Sequence, residues 1–165
     1  MIYSDIKLAQ WANAGGVTPY DPTLITSASI DLRVGSHYRV TTMEGWSEPL
    51  PIAEEGLSIR AGSIVLLHSL EFTKIPKNAV AMLFLKSSTG RKGLEHLHAG
   101  YGDPGFEGQW TLEIINHWPY SQTVFVGQRL LQLVLCDTYP VVRDYSETGH
   151  YQAQTGPTVP WEWKK

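Results

Sequence analysis

Residues 100–116 read GYGDPGFEGQWTLEIIN, and how this stretch is read decides the fold. Asp103-Pro104-Gly105 is a turn signal, and the chain that follows alternates. As a strand, it places Trp110, Leu112 and Ile114 on one face and Thr111, Glu113 and Ile115 on the other. Glu113 is then the one carboxylate in an otherwise apolar run. Either it faces water on a half-buried strand, or it is kept in a partly dry site where a carboxylate can do chemistry.

Similar runs recur along the chain. Strands are expected at 28–34, 37–42, 63–68, 79–85, 109–116, 123–126 and 129–135, separated by Gly, Pro, Asn and Asp clusters. Ser4 is placed to cap one short N-terminal helix with Ile6, Leu8, Ala9 and Ala12 as its apolar residues, ended by Gly15 and Gly16. Many short strands with frequent turns indicate a mainly β fold of the sandwich or jelly-roll-barrel type. Residues 41–56 read as a long polar excursion. From about residue 145 the chain is rich in Gly, Gln and Thr without core periodicity, which predicts a mobile tail that orders over a ligand. No repeat or boundary divides the 165 residues, so a single domain spanning 1–165 is expected.

Composition narrows the function. A hydrophobic fraction of 42% is that of a globular protein, and no apolar run is long enough for a membrane span. The N-terminus lacks the apolar stretch of a signal peptide, so a cytoplasmic protein is expected. Net charge is −3 with no long basic cluster, which disfavours nucleic-acid binding but not a small polyanion. The single cysteine, Cys136, lies in LLQLVLC; it excludes an intrachain disulfide and reads as a buried core thiol.

Several chemistries are missing from the pattern. A zinc deaminase needs a His/Cys/Cys set, which one cysteine cannot supply. His96 and His98 in EHLH would share a strand face, but no third ligand accompanies them, and they read as ordinary histidines. There is no Walker loop, no dinucleotide fingerprint and no nucleophile elbow. What the chain does offer is LKSSTGRKGL at 85–94, a strand running into hydroxyls, glycines and cations. Ser87, Ser88 and the backbone amides there can donate to phosphate oxygens, with Lys86 and Arg91 supplying charge.

Five motifs occur in order: SASIDLRVG (27–35), KSSTGRKGL (86–94), DPGFEGQWTLEIIN (103–116), GQRLLQLVL (127–135) and HYQAQTGPT (150–158). Together they resemble the ordered motifs of the dCTP deaminase and trimeric dUTPase superfamily over nearly the whole chain. The N-terminal helix followed by PYDP (19–22), and FTKIPKNAVAMLFLKSS (72–88), are similar to the deaminase branch.

The resemblance implies a distorted jelly-roll β-barrel of the dUTPase-like type, assembled as a homotrimer with nucleotide sites at subunit interfaces. It implies zinc-independent deamination of dCTP to dUTP and ammonia, with Glu113 as general base toward water attacking C4. Ser87 and Arg91 match the positions that orient that water and stabilise charge, and Asp103 matches the aspartate near the 3′-hydroxyl that directs water to the α-phosphorus in dUTP-cleaving members. Phe106 falls where an aromatic ring packs under deoxyribose. Gly100 and Tyr101 lie in the segment that contacts the base. Lys86, Ser88, Gln128, His150, Tyr151 and Gln154 match positions that hold the triphosphate, whose Mg2+ is carried by the phosphates with no direct protein ligand. Asp31 and Arg33 read as structural or interface residues, with Asp31 able to support the magnesium through water. The alternatives are a bifunctional enzyme releasing dUMP and diphosphate, a deaminase of a modified or monophosphate deoxycytidine nucleotide, a dUTPase alone, and a non-catalytic nucleotide-binding trimer.

The sequence departs from the pattern in places. Lys86 replaces a frequent arginine, Thr89-Gly90 replaces an apolar pair, and the segment before Asp103 is one residue short. His150 stands where lysine is common, and the chain continues as VPWEWKK after GPT.

Overall fold

The alternation at 109–116 is the centre of the architecture, seen in a computed structural model that describes residues 1–97 and 99–162. His98, expected to share a strand face with His96, lies outside the described residues, as do residues 163–165. The strands are β1 (Val17–Thr18), β2 (Ile30–Arg33), β3 (His37–Thr42), β4 (Gly45–Trp46), β5 (Leu50–Pro51), β6 (Leu57–Ile59) and β7 (Ile64–Lys74). They continue with β8 (Ala79–Leu85), β9 (Leu94–His96), β10 (Tyr101–Gly102), β11 (Glu107–Asn116), β12 (Gln122–Val124) and β13 (Arg129–Asp137). Three short α-helices, α1 (Asp5–Trp11), α2 (Ser87–Gly90) and α3 (Tyr145–Thr148), with a π-helical turn at Ala12–Gly16 and a 3-10 turn at Pro22–Leu24, complete the described elements. No helix among the described residues is long and apolar enough to cross a membrane.

The larger sheet runs β4-β3-β7-β11-β9, with β1 added to β7 and β5 to β3; the smaller runs β10-β8-β13-β2. Strands β12 and β6 form a separate pair. On β11, Trp110, Leu112 and Ile114 are buried while Thr111, Glu113 and Ile115 are half-buried, as the period of two requires. Leu131, Leu133 and Leu135 of β13 and Ala79, Ala81 and Leu83 of β8 belong to the same buried cluster, so both sheets cover one core.

The expected closed barrel is not formed. The larger sheet ends at β4 and β9 and the smaller at β10 and β2, and none of the sheets joins back on itself. Three of those edges are only two or three residues long, too short to carry the ladder that closure needs. Cys136 is another correction: core-facing Leu133 and Leu135 leave it on the opposite face of β13, half-buried. Ile6 of α1 is exposed rather than packed, while Leu8 fills the core-facing position.

Strand β7 extends six residues beyond its expected end at His68. Between Gln109 and Thr111 the register with β11 shifts, from Phe72 to His68 on β7. Two extra residues of β7 are accommodated there, an even number, so the facing of side chains is preserved. The Trp110 N–H lacks a ladder partner at this point, and the Ser69 hydroxyl accepts it at 2.8 Å while donating to Glu71 O at 2.7 Å. Fully buried Glu71 takes Arg33 N–H at 2.8 Å and Arg33 Nε at 2.6 Å, tying β2 to β7. Gly35 is required beside this join, because a Cβ there would stand 2.1 Å from His68 Cε1.

Replacing Ser69 by Ala leaves the Trp110 amide and the Glu71 carbonyl without this hydroxyl. We expect a loss of about 1–3 kcal/mol in unfolding free energy, read as a lower denaturant midpoint at unchanged slope.

Candidate active site

Glu113 projects from β11 into a cavity of about 470 Å³ lined also by Asp103, Tyr101, Phe106, Thr111, Tyr151 and Gln154. Two features of the fold build it. The Asp103-Pro104-Gly105 turn carries the chain from β10 into β11, which brings Asp103 to the mouth. The tail then returns along β11: Ala153 N–H donates to Glu107 O at 2.7 Å, and Gln109 N–H donates to Gln154 O at 2.9 Å. Gly108 permits the approach, since a Cβ there would lie only 3.2 Å from the Gln154 backbone oxygen.

Side chains extend this docking. Gln109 Oε1 accepts from Gly156 N–H at 2.7 Å, and Gln154 Nε2 donates to Gln109 O at 2.8 Å. Thr111 Oγ1 accepts from Thr158 N–H at 3.1 Å and meets Thr158 Oγ1 at 2.7 Å. The tail therefore lies on its own chain, with Arg39 Nε holding Pro157 O at 2.7 Å.

The walls are largely aromatic. Phe106, deeply buried, packs on Trp110 at 4.7 Å and on Tyr145 at 5.5 Å between ring centres, so it serves the core and the cavity together. Burial raises the Tyr145 pKa and keeps its phenol neutral, and its oxygen accepts from Tyr151 N–H at 3.2 Å. Tyr101 is 61% exposed at the rim. Gly100 does not line the cavity; its carbonyl accepts from Leu83 N–H at 2.7 Å. Just outside, His150 stacks on Trp161 at 3.9 Å and borders a second hollow with Asp103, Arg143 and Tyr151. There, Lys77, then Ser146, hold the Asp144 carboxyl below its usual range.

Ser87, Ser88 and Arg91 lie outside the lining of this cavity. They sit on or just after α2 and are exposed. Lys86, preceding α2, is engaged within the chain: its Nζ lies 2.6 and 2.7 Å from the two oxygens of Asp31, which is 2% exposed. Arg129 Nη1 is a further 3.7 Å neighbour of that carboxylate. Removing the lysine from such a buried pair costs about 3–5 kcal/mol, so Lys86 has a structural duty whatever else it binds. Gln128 Oε1 accepts from Phe125 N–H at 3.1 Å across the turn before β13.

The expected site residues thus fall into two groups on one chain. Glu113, Asp103, Tyr101, Phe106, Tyr151 and Gln154 share the cavity, whereas Lys86, Ser87, Ser88, Arg91, Gly100, Gln128 and His150 do not line it. Trp46, Ile64, Leu66, Tyr145 and Thr158 line it too and were not anticipated. Trp46 was hidden in the polar excursion, whose hairpin β4 returns it beside β3; only the isolated aromatic there gave a signal. Among the described residues no three His, Cys, Asp or Glu side chains are gathered to hold a metal ion.

Comparison with known proteins places the chain in a family. Residues 2–138 match the family model described as dCTP deaminase-like, and the chain belongs to that family. The dCTP deaminase of Ignicoccus hospitalis is 32% identical, over 97% of this chain and 97% of that protein. The dUMP-forming dCTP deaminase of Mycobacterium tuberculosis is 33% identical, over 96% of this chain and 94% of that protein. The fold is similar to that of the 2′-deoxycytidine 5′-triphosphate deaminase from Agrobacterium tumefaciens, with a TM-score of 0.70 at 22% identity over 81% of this chain and 47% of that one. A dUTPase from Streptococcus mutans aligns at a TM-score of 0.51 and 23% identity over 76% of this chain and 98% of that one.

Gln109 carries much of the tail's attachment. Gln109→Ala should speed amide exchange of residues 153–158 by roughly tenfold, with β13 protected as before. Unchanged exchange in the tail would contradict its anchoring by this side chain.

Proposed function

We propose that the protein deaminates dCTP hydrolytically and carries the product on to dUMP and diphosphate in the cavity around Glu113. The observation that carries this reading is that Glu113 and Asp103 line one cavity, with Phe106 between sheet core and solvent. Two carboxylates at one site suit two successive hydrolyses, one at carbon and one at phosphorus.

In the first step Glu113 accepts a proton from water as that water adds to C4 of cytosine. The proton then passes to the departing amino group, so dCTP and water yield dUTP and ammonia. In the second step Asp103, exposed at the rim, directs a water to the α-phosphorus, and dUMP and diphosphate leave. Phe106 packs beneath the sugar. Besides Glu113, Asp103 is the carboxylate of the lining, a donor set suited to a cation carried by phosphate oxygens rather than caged by protein. Magnesium on the triphosphate supplies charge neutralisation there.

Ser87, Ser88 and Arg91 enter from a second copy of the chain. Their exposure on α2, outside the cavity of their own chain, supports a homotrimer whose sites are shared between neighbours. The dUMP-forming outcome is favoured over release of dUTP by the Mycobacterium relatives, which match as well as the Ignicoccus one.

The test is to incubate the protein with dCTP and magnesium and to resolve nucleotides by ion-pair chromatography. We expect dUMP without accumulation of dUTP. Glu113→Gln should slow ammonia release by about 10²–10⁴-fold while added dUTP is still cleaved, and Asp103→Asn should let dUTP accumulate. Wild-type deamination in the Glu113 variant would overturn the assignment of the base; accumulation of dUTP by the unaltered protein would remove the second step.

A further inference from the structure

Strand β9 runs antiparallel beside β11 and pairs His96 with Ile114, the residue next along the chain from Glu113. His96 Nε2 lies 3.2 Å from Glu113 Oε2. Both atoms are shut off from solvent, and neither makes a hydrogen bond within the described residues. The exposure of the Glu113 side chain, 26%, therefore falls on its other atoms. The next carboxylate on β9, Glu95, has its own imidazole, with His117 Nε2 at 2.6 Å.

Buried polar atoms are nearly always paired, so two that face each other unpaired call for a physical reason. A bare imidazole nitrogen and a carboxylate oxygen at this distance repel, because both are acceptors. A proton on Nε2 converts the contact into a charge-assisted donor–acceptor pair. The contact is close but off line, a state common for catalytic hydrogen bonds before substrate tightens the site.

Resting on Glu113 as the base, we propose that His96 is its positioning residue: Nε2–H holds Oε2 so that Oε1 is aimed at the attacking water. His96 touches neither the nucleotide nor the water. It fixes one oxygen of the base and leaves the other to accept and return the proton. Among the described residues no other group makes a hydrogen bond to Glu113 Oε2.

The experiment has two arms. In the first, side-chain ¹H–¹⁵N correlation reads which ring nitrogen of His96 carries a proton, in the unaltered protein and in Glu113→Ala, with the His96 signals assigned by their loss in His96→Gln. An Nε2–H signal held against solvent exchange should be present with Glu113 and lose that protection in Glu113→Ala, where its acceptor is gone. Equal protection in the two proteins, or a ring that carries its proton only on Nδ1, would overturn the proposal, whatever the catalytic activity. In the second arm, His96→Leu should lower kcat by about tenfold to a hundredfold with KM within a factor of about three, the mark of a misaimed group rather than lost binding. His96→Gln, which keeps an N–H donor, should recover most of the rate. A fully active His96→Leu protein would overturn the positioning role. An unaltered protein that turns over no dCTP but shows the Glu113-dependent protection of Nε2–H would refute the proposed function and leave the pair intact.

Discussion

Much of this structure depends on how β7 lies against β11 where the register shifts. The two extra residues of β7 would strand the Trp110 N–H in the core, and one hydroxyl, Ser69, resolves it. An unpaired buried amide costs about 1–3 kcal/mol, a sizeable part of the net stability of a small domain. The same irregularity turns Glu71 toward Arg33, and an isolated bridge from Val34 to Ser69 draws the end of β2 alongside. The two sheets are thereby joined at the point from which Thr111 and Glu113 project. Beyond it, Asn116 ends β11, its Nδ2 held by Ile59 O and Tyr120 O at 2.9 Å each. The site strand is thus fixed at a bulge on one side and at a capped end on the other.

Charge is distributed to match. Glu113 is half dry and borders a mainly aromatic cavity, whereas Asp31 is buried between Lys86 and Arg129. One carboxylate against two cations leaves that second locus net positive, close in sequence to the exposed Arg91 of the loop after α2. A carboxylate-bearing cavity and a cationic locus on separate parts of one chain suit the proposed site, divided between copies, for a polyanionic substrate.

The sequence was most legible where period and face coincide. β11, β8 and β13 alternate simply because one face of each is buried, and their expected bounds agree with the observed ones to within a few residues. It was least legible where partners come from far away. β7 was cut short at His68 because Ser69, Glu71 and Thr73 are buried polar residues, and their partners Trp110, Arg33 and Gly108 belong to other strands. Glu113 and Asp103 could be picked out by resemblance, and the cavity brings them together. The cis docking of the tail could not, since it rests on backbone pairing with β11 rather than on apolar periodicity. His96 looked like an ordinary strand histidine; strand register pairs it with Ile114, and only the folded side chains reveal its approach to Glu113. The closed barrel failed because short edge strands are invisible in a pattern that shows only which residues alternate.

The central claim is that the cavity around Glu113 is half of a site, completed by α2 of a second copy. It is tested most directly by mixing two proteins, Glu113→Gln and Arg91→Ala, each inactive alone, after dissociation and reassembly together. Random reassembly pairs an intact Glu113 with an intact neighbouring Arg91 at about a quarter of the interfaces, so deamination should return to about that fraction of the unaltered rate. If every mixture stays as inactive as its components while the oligomer re-forms, each chain must supply both groups to its own site, and the account is wrong.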